Sequence, residues 1–185
     1  DQANLQRMLS FSDNVFAFAI TLLVVHLKLP KEEMTSNDQL ISYVVGLGNH
    51  AAVAYTVGFV LIGIFWNNHC RDFGIVLRAD TTILVINLLH LMSLAVVPFG
   101  TELISRFERF GIPLVIFSLI NACVGGTLAA CLWHATRHHR LVDPGWSDDD
   151  LRWWRGVSVV VPVGFVAAAA VALVARVIKA GLVAL

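Results

Sequence analysis

The chain has 185 residues, of which 57% are hydrophobic and only 14% charged, against about a quarter charged in an ordinary soluble domain. Thirteen acids offset thirteen bases, so no basic surface speaks for nucleic acid and no acidic one for a cationic substrate. With a mean hydropathy of +0.74 the chain reads as an all-α, polytopic membrane protein whose function resides within the bilayer, residues 1–185 forming one transmembrane domain.

A bilayer core of about 30 Å asks for about 20 apolar residues per crossing, and five stretches supply them. The first runs from Gln6 to Leu27 and stops at Leu29-Pro30, because proline cannot continue a helix and restricts the residue before it. It is expected to be mature structure rather than a signal peptide, since it carries Ser12, Asp13 and Asn14 near its start and lacks a small-residue cleavage site after Val25. Ser36 with Gln39 three residues on predicts a capping box, opening one long second helix that reaches Trp66 or runs on to Phe73. The third span, TTILVINLLHLMSLAVV, is expected to end near Pro98 and Gly100, and the fourth covers Ile112 to Trp133, with Pro113 tolerated in its first turn.

The fifth has the clearest local signal. Ser147 stands as N-cap, Asp148, Asp149 and Asp150 favour the dipole of the first turn, and Trp146 is placed to staple against Leu151. Trp153 and Trp154 sit where an interfacial aromatic belt belongs, and Pro162 predicts a kink halfway across. The tail ARVIKAGLVAL is too short to span and is expected to be an incomplete sixth helix. Orientation is not fixed by charge: with the N-terminus inside, seven basic residues fall on the inner side and six on the outer.

At 100° per residue, Phe11, Asn14, Phe18, Leu22 and Val25 fall within about 40° of one meridian of the first helix, with Thr21 beside them. Ser12 and Asp13 point more than about 100° away. An acidic group at mid-membrane costs roughly 3 kcal/mol even on a lenient scale, so Asp13 is expected to face protein, with His69, Arg71, Asn87 and His90 as candidate partners that would clamp three helices together. The other reading makes Asp13 a cap at the true start of the helix.

Three cysteines without paired spacing exclude a disulfide framework. Cys131, His134 and His138 share a helix face, but a structural zinc site takes four ligands, and no metal is assigned. Asn49-His50, inside the second span, is read as helix-to-helix hydrogen bonding. No HExxH, GxSxG, GxGxxG or P-loop is present, so no enzyme is expected.

Arg7 followed by Phe11-Ser12-Asp13 gives RxxxFSD, and NVFAFAITLLVV follows it. This resembles the first-helix signature of the bacterial relatives of the endosomal and lysosomal potassium channel called transmembrane protein 175. FWNNHCRDF is similar to that family's FWxxHHxxF segment, with Cys70 in place of its second histidine, and LRADTTILVINLLHLMSLAVVPFGTEL is similar to its third-helix pattern.

The resemblance implies a six-helix subunit, a homotetramer in a bacterial inner membrane with its N-termini cytoplasmic, and a central pore lined by the first helix. By motif position Phe18 matches the narrowest hydrophobic ring, Leu22 and Val25 the next two, and Thr21 a hydroxyl layer, with Asn14 as a second polar lining residue. Arg7, Phe11, Ser12, Asp13, His69 and Asn87 form the structural signature network. No cofactor is implied, and the permeant partner is K⁺, in modest preference to Na⁺. An ion-coupled secondary transporter is the alternative, although no internal repeat or pair of broken helices is visible. A membrane assembly or sensor subunit is the third class.

Overall fold

Prolines decide where the long apolar runs break. Pro98 lies at the start of a helix whose predecessor ends three residues before it, and Pro162 lies two residues inside another. A proline lacks the N–H that would bond to the carbonyl four residues back and its ring crowds that carbonyl, so the break falls upstream of the proline itself. Accordingly α4 (Thr81–Ala95) gives way to α5 (Val97–Arg106) at Val96, and α7 (Asp148–Ser158) to α8 (Val160–Val183) at Val159. The kink expected at Pro162 is therefore real, seated three residues before it. The third span does not end at Pro98; it bends there and runs on to Arg106.

The computed structural model describes residues 2–27, 34–47, 51–107 and 109–183. The remaining helices are α1 (Gln2–Leu22), which tightens into a 3₁₀ turn over Leu23–His26, α2 (Asn37–Leu47), α3 (Ala51–Phe73) and α6 (Gly111–Thr136). Ser36 accepts the Gln39 N–H at 3.3 Å, and the Gln39 amide accepts from Thr35 N at 3.0 Å, which starts α2 as the capping pattern predicts. The second helix is described as two pieces, α2 and α3, and Asn49 and His50 lie outside the described residues. Ser147 caps α7 by accepting the Asp150 N–H at 3.1 Å, and Trp146 packs in the same cluster as Leu151.

With α4–α5 and α7–α8 each taken as one rod, the described residues form six helices, five of them long and apolar enough to cross a membrane: 2–25, 51–73, 81–106, 111–139 and 148–179. The short one is α2. The tail expected to begin a separate helix instead continues α8 as far as Val183, because no proline interrupts it after Pro162.

Within a bilayer, helices gain no hydrophobic free energy by leaving lipid for each other, so close packing and interhelical hydrogen bonds specify the arrangement. Small residues make two approaches possible. A Cβ at Gly125 of α6 would lie 3.0 Å from Pro162 Cδ of α8, and one at Gly58 of α3 would lie 3.0 Å from Leu23 Cδ2. Two apolar clusters result. One, around Phe16, Ile62, Phe65, Leu91, Leu94 and Val124, gathers α1, α3, α4 and α6 in mid-span. The other, around Met8, Phe73, Ile83, Leu128, Leu141 and Leu151, lies toward the N-terminal end of α1. There Leu77 N–H bonds to Leu141 O at 2.8 Å and Val76 bridges Val142, tying the α3–α4 connection to the α6–α7 connection.

Candidate functional site

The first helix has a buried and a free face. Leu5, Met8, Ser12, Phe16, Ala19 and Leu23 are its buried residues, and at 100° per residue they lie within about 40° of one line. On the far side Phe11, Phe18 and Val25 are 52%, 66% and 65% exposed. Asn14 and Thr21 are exposed beside them, and Leu22 is half-buried. The stripe picked out by helical phase is thus the face that α1 does not pack against the rest of the chain.

Polar groups on the stripe are turned to the same end. The Thr21 hydroxyl donates to Phe18 O at 2.9 Å, and the Asn14 amide nitrogen donates to Ser10 O at 2.9 Å. The Thr21 hydroxyl hydrogen and one of the two Asn14 amide hydrogens are thus used on the helix backbone, which leaves the Thr21 lone pairs and the Asn14 Oδ1, with one amide N–H, to face outward. No acidic side chain stands among them.

Behind the stripe lies the polar knot, and Ser12 is its member from α1. Its hydroxyl donates to Met8 O at 2.9 Å and accepts from Asn87 Nδ2 of α4 at 2.9 Å. Asn87 Oδ1 in turn takes the Nε2–H of His69, on α3, at 3.0 Å. All three side chains are buried, so one chain of hydrogen bonds joins three helices. Phe16 packs on it, 5.4 Å from the His69 ring and 5.8 Å from that of His90. His90 stacks on His69 at 5.7 Å, and its Nδ1 lies 3.1 Å from Val124 O of α6.

Asp13 is not in that chain, contrary to the expectation that it clamps the three helices. One residue on from Ser12, it is turned by about 100° to the flank of the helix, where its Oδ1 accepts the Trp66 indole N–H at 3.0 Å. Nor is it a cap, because α1 starts at Gln2. Arg7 and Phe11 are exposed and lie apart from the knot, and Arg71 turns to Asp72 at 3.2 Å. Of the residues grouped as a signature network, Ser12, His69 and Asn87 are brought together and Asp13 is held beside them. Trp66 was missed: only its need for an acceptor, one turn before His69 on α3, could have pointed to it.

Cys131, His134 and His138 do not converge. Cys131 is buried in the cluster around Met8 and Leu128, and His134 Nε2 is 2.9 Å from Asp80 Oδ2. No group of three metal-ligating side chains is found among the described residues.

Comparison with known proteins bears on the family of the chain. Residues 7–98 match the family model described as endosomal/lysosomal potassium channel TMEM175. A potassium channel of Streptomyces collinus is 35% identical over 142 residues, covering 75% of this chain and 68% of the relative. A potassium channel of Chamaesiphon minutus is 36% identical over 107 residues, covering 58% of this chain and 52% of that one; the chain therefore spans about half the length of that relative. The crystal structure of a lysosomal potassium-selective channel TMEM175 homologue from Chamaesiphon minutus superposes with a TM-score of 0.74 at 27% identity, over 97% of this chain and 92% of that one. These neighbours are multi-pass membrane channels and not enzymes.

Proposed function

Because the chain belongs to the TMEM175 family of channels, we propose that it is a cation channel that conducts K⁺ in modest preference to Na⁺, through a pore lined by α1 of each subunit of a homotetramer. The bacterial origin of the relatives named above supports a place in a bacterial inner membrane. The observation that carries the reading is the exposed stripe of α1: an aromatic and aliphatic face with Asn14 and Thr21 in it, opposite the face that packs inside the subunit.

A chain with no TVGYG loop and no acidic ring on the stripe has neither carbonyl cages nor charged rings for selection. A hydrophobic constriction remains. Four helices packed with axes about 8–10 Å apart leave no hole, so conduction requires them to splay, and the ring of Phe18 side chains sets the bore, with Leu22 and Val25 beyond it. A narrow apolar ring blocks by dewetting. A wider one passes a partly dehydrated ion and penalises the more tightly hydrated Na⁺ over K⁺. The Thr21 and Asn14 oxygens then face the ion where it has shed water. No cofactor enters this scheme.

Reconstitution into liposomes with K⁺ and Na⁺ efflux compared is the direct test. Phe18→Ala is expected to raise cation flux and to lower the K⁺/Na⁺ ratio toward one. Flux and ratio unchanged by that substitution would remove Phe18 from the pore.

A further inference from the structure

We propose that the groove between α6 and α7, on the face that carries the N-terminus of α1, binds the phosphate headgroup of an anionic phospholipid. The groove is open to one side and has a volume of about 640 Å³, with Gly126, Ala129 and Ala130 along its floor and Trp133, Arg137 and Arg155 at its mouth. Arg137 and His134 are shared with a second cavity of about 560 Å³, to which Arg78 and Arg140 contribute. Among the described residues no carboxylate lines either cavity.

The guanidinium groups at the mouth keep donors to spare. Of the acids bonded to residues lining the two cavities, Asp80 is taken by His134 at 2.9 Å and by Arg140 at 3.2 Å, and Asp148 by His139 at 3.1 Å. Arg78 gives one amino group to Arg140 O at 3.1 Å. Arg155 uses its Nε on Leu151 O at 3.1 Å, which leaves both terminal amino groups to spare. The Arg137 side chain is exposed and has no hydrogen-bond or ion-pair partner among the described residues. Two guanidinium groups on facing helices, each able to bond two oxygens, match a phosphodiester.

The floor identifies the lipid. From Gly126 to Arg137 the helix rises by about 16 Å, the depth of one leaflet, and its small side chains leave room there for an acyl chain. Trp133, half exposed at 50%, belongs at headgroup level. Its indole donates to Arg155 O at 3.4 Å and closes the groove from one side. Beyond Arg137 the chain turns back through His138 and His139, whose φ of 55° and 50° place two non-glycine residues in the left-handed region. That strained reversal, costing about 1–2 kcal/mol per residue, sends Arg140 to Asp80 and leaves Arg137 at the groove. Basic pockets between helix ends at this level suit anionic headgroups.

The test uses the full chain purified in detergent and stripped of lipid, with bound lipid counted by native mass spectrometry. Titration with phosphatidylglycerol, phosphatidylcholine of the same acyl chains, and inorganic phosphate separates the sources. Phosphatidylglycerol is expected to be retained and phosphatidylcholine lost, with Arg137→Gln weakening retention about fivefold and Arg137→Gln with Arg155→Gln about 25-fold. Arg152→Gln, whose guanidinium pairs with Asp149, is expected to bind as before. Arg137→Gln removes an exposed, unbonded side chain, so it decides the matter even where the double substitution fails to fold. Equal retention of both lipids, retention unchanged in Arg137→Gln, or inorganic phosphate competing as well as the lipid would overturn the proposal.

Discussion

Ser12 and Asp13 are neighbours with opposite fates. The hydroxyl is fully buried between two hydrogen-bonded partners, while the carboxylate sits on the flank with one indole. Ser12→Ala would strip Asn87 Nδ2 of its acceptor, and thermal unfolding in detergent is expected to show a loss of about 1–2 kcal/mol. Asp13→Asn keeps an oxygen for Trp66 and is expected to stay within about 0.5 kcal/mol of the parent; the reverse order would restore the acid as the anchor. That one of this pair faces inward was legible from helical phase, but not which. The wheel places both residues far from the stripe, and only the positions of α3 and α4, set by contacts more than fifty residues away, choose between them. Outside the span, burial pushes the Asp80 carboxyl up, but the Ile83 N–H, His134 and Arg140 outweigh it and hold it below the ordinary carboxylate range. Its contribution to stability is full above that range and is lost as pH falls through the depressed value. Asp80→Asn should therefore flatten the acid limb of a stability-against-pH curve, and an unaltered limb would assign that limb to other carboxylates.

Elements were legible where their signals are local. Ser147 and its three aspartates announce α7, and Ser36 with Gln39 announces α2, because a cap is completed within four residues. Pro98 misled, since a proline two residues into α5 bends a span without ending it. The contact of α6 with α8 could not be read from sequence, for a glycine does not name its partner. In the fold that partner is the ring of Pro162, which cannot move aside without shifting the backbone of α8. Gly125→Ala is accordingly expected to cost about 1–3 kcal/mol through overpacking, whereas Gly126→Ala, with nothing within 4 Å of the added carbon, should cost little. Equal unfolding midpoints for the two variants would show that α8 yields.

At the scale of the whole molecule, one subunit leaves unexplained why α1 keeps two large aromatics on the side facing away from its own core. The fourfold assembly proposed above would give them neighbours. In a background with Cys70, Cys123 and Cys131 replaced by serine, Phe18→Cys should cross-link between subunits under oxidation, while Met92→Cys, equally exposed at 62% on α4, should not. Cross-linking at Met92 alone would move the assembly axis to another helix. The beginning of this geometry was legible because an amphipathic phase survives in any span; the number of copies was not, since one chain holds no record of symmetry.

The 3₁₀ turn at the end of α1 has a bearing on how that rod tolerates change in length. Side chains three apart in such a turn eclipse one another, so Val25 stands directly above Leu22 instead of drifting round by about 60° as a continued α-helix would carry it. Leu22 and Val25 thus form a straight aliphatic wall, two storeys high, with Leu23 turned inward against Gly58. Adding a single residue between them would swing the upper storey through about a third of a circle, so this short tract is where natural insertions and deletions should be scarcest.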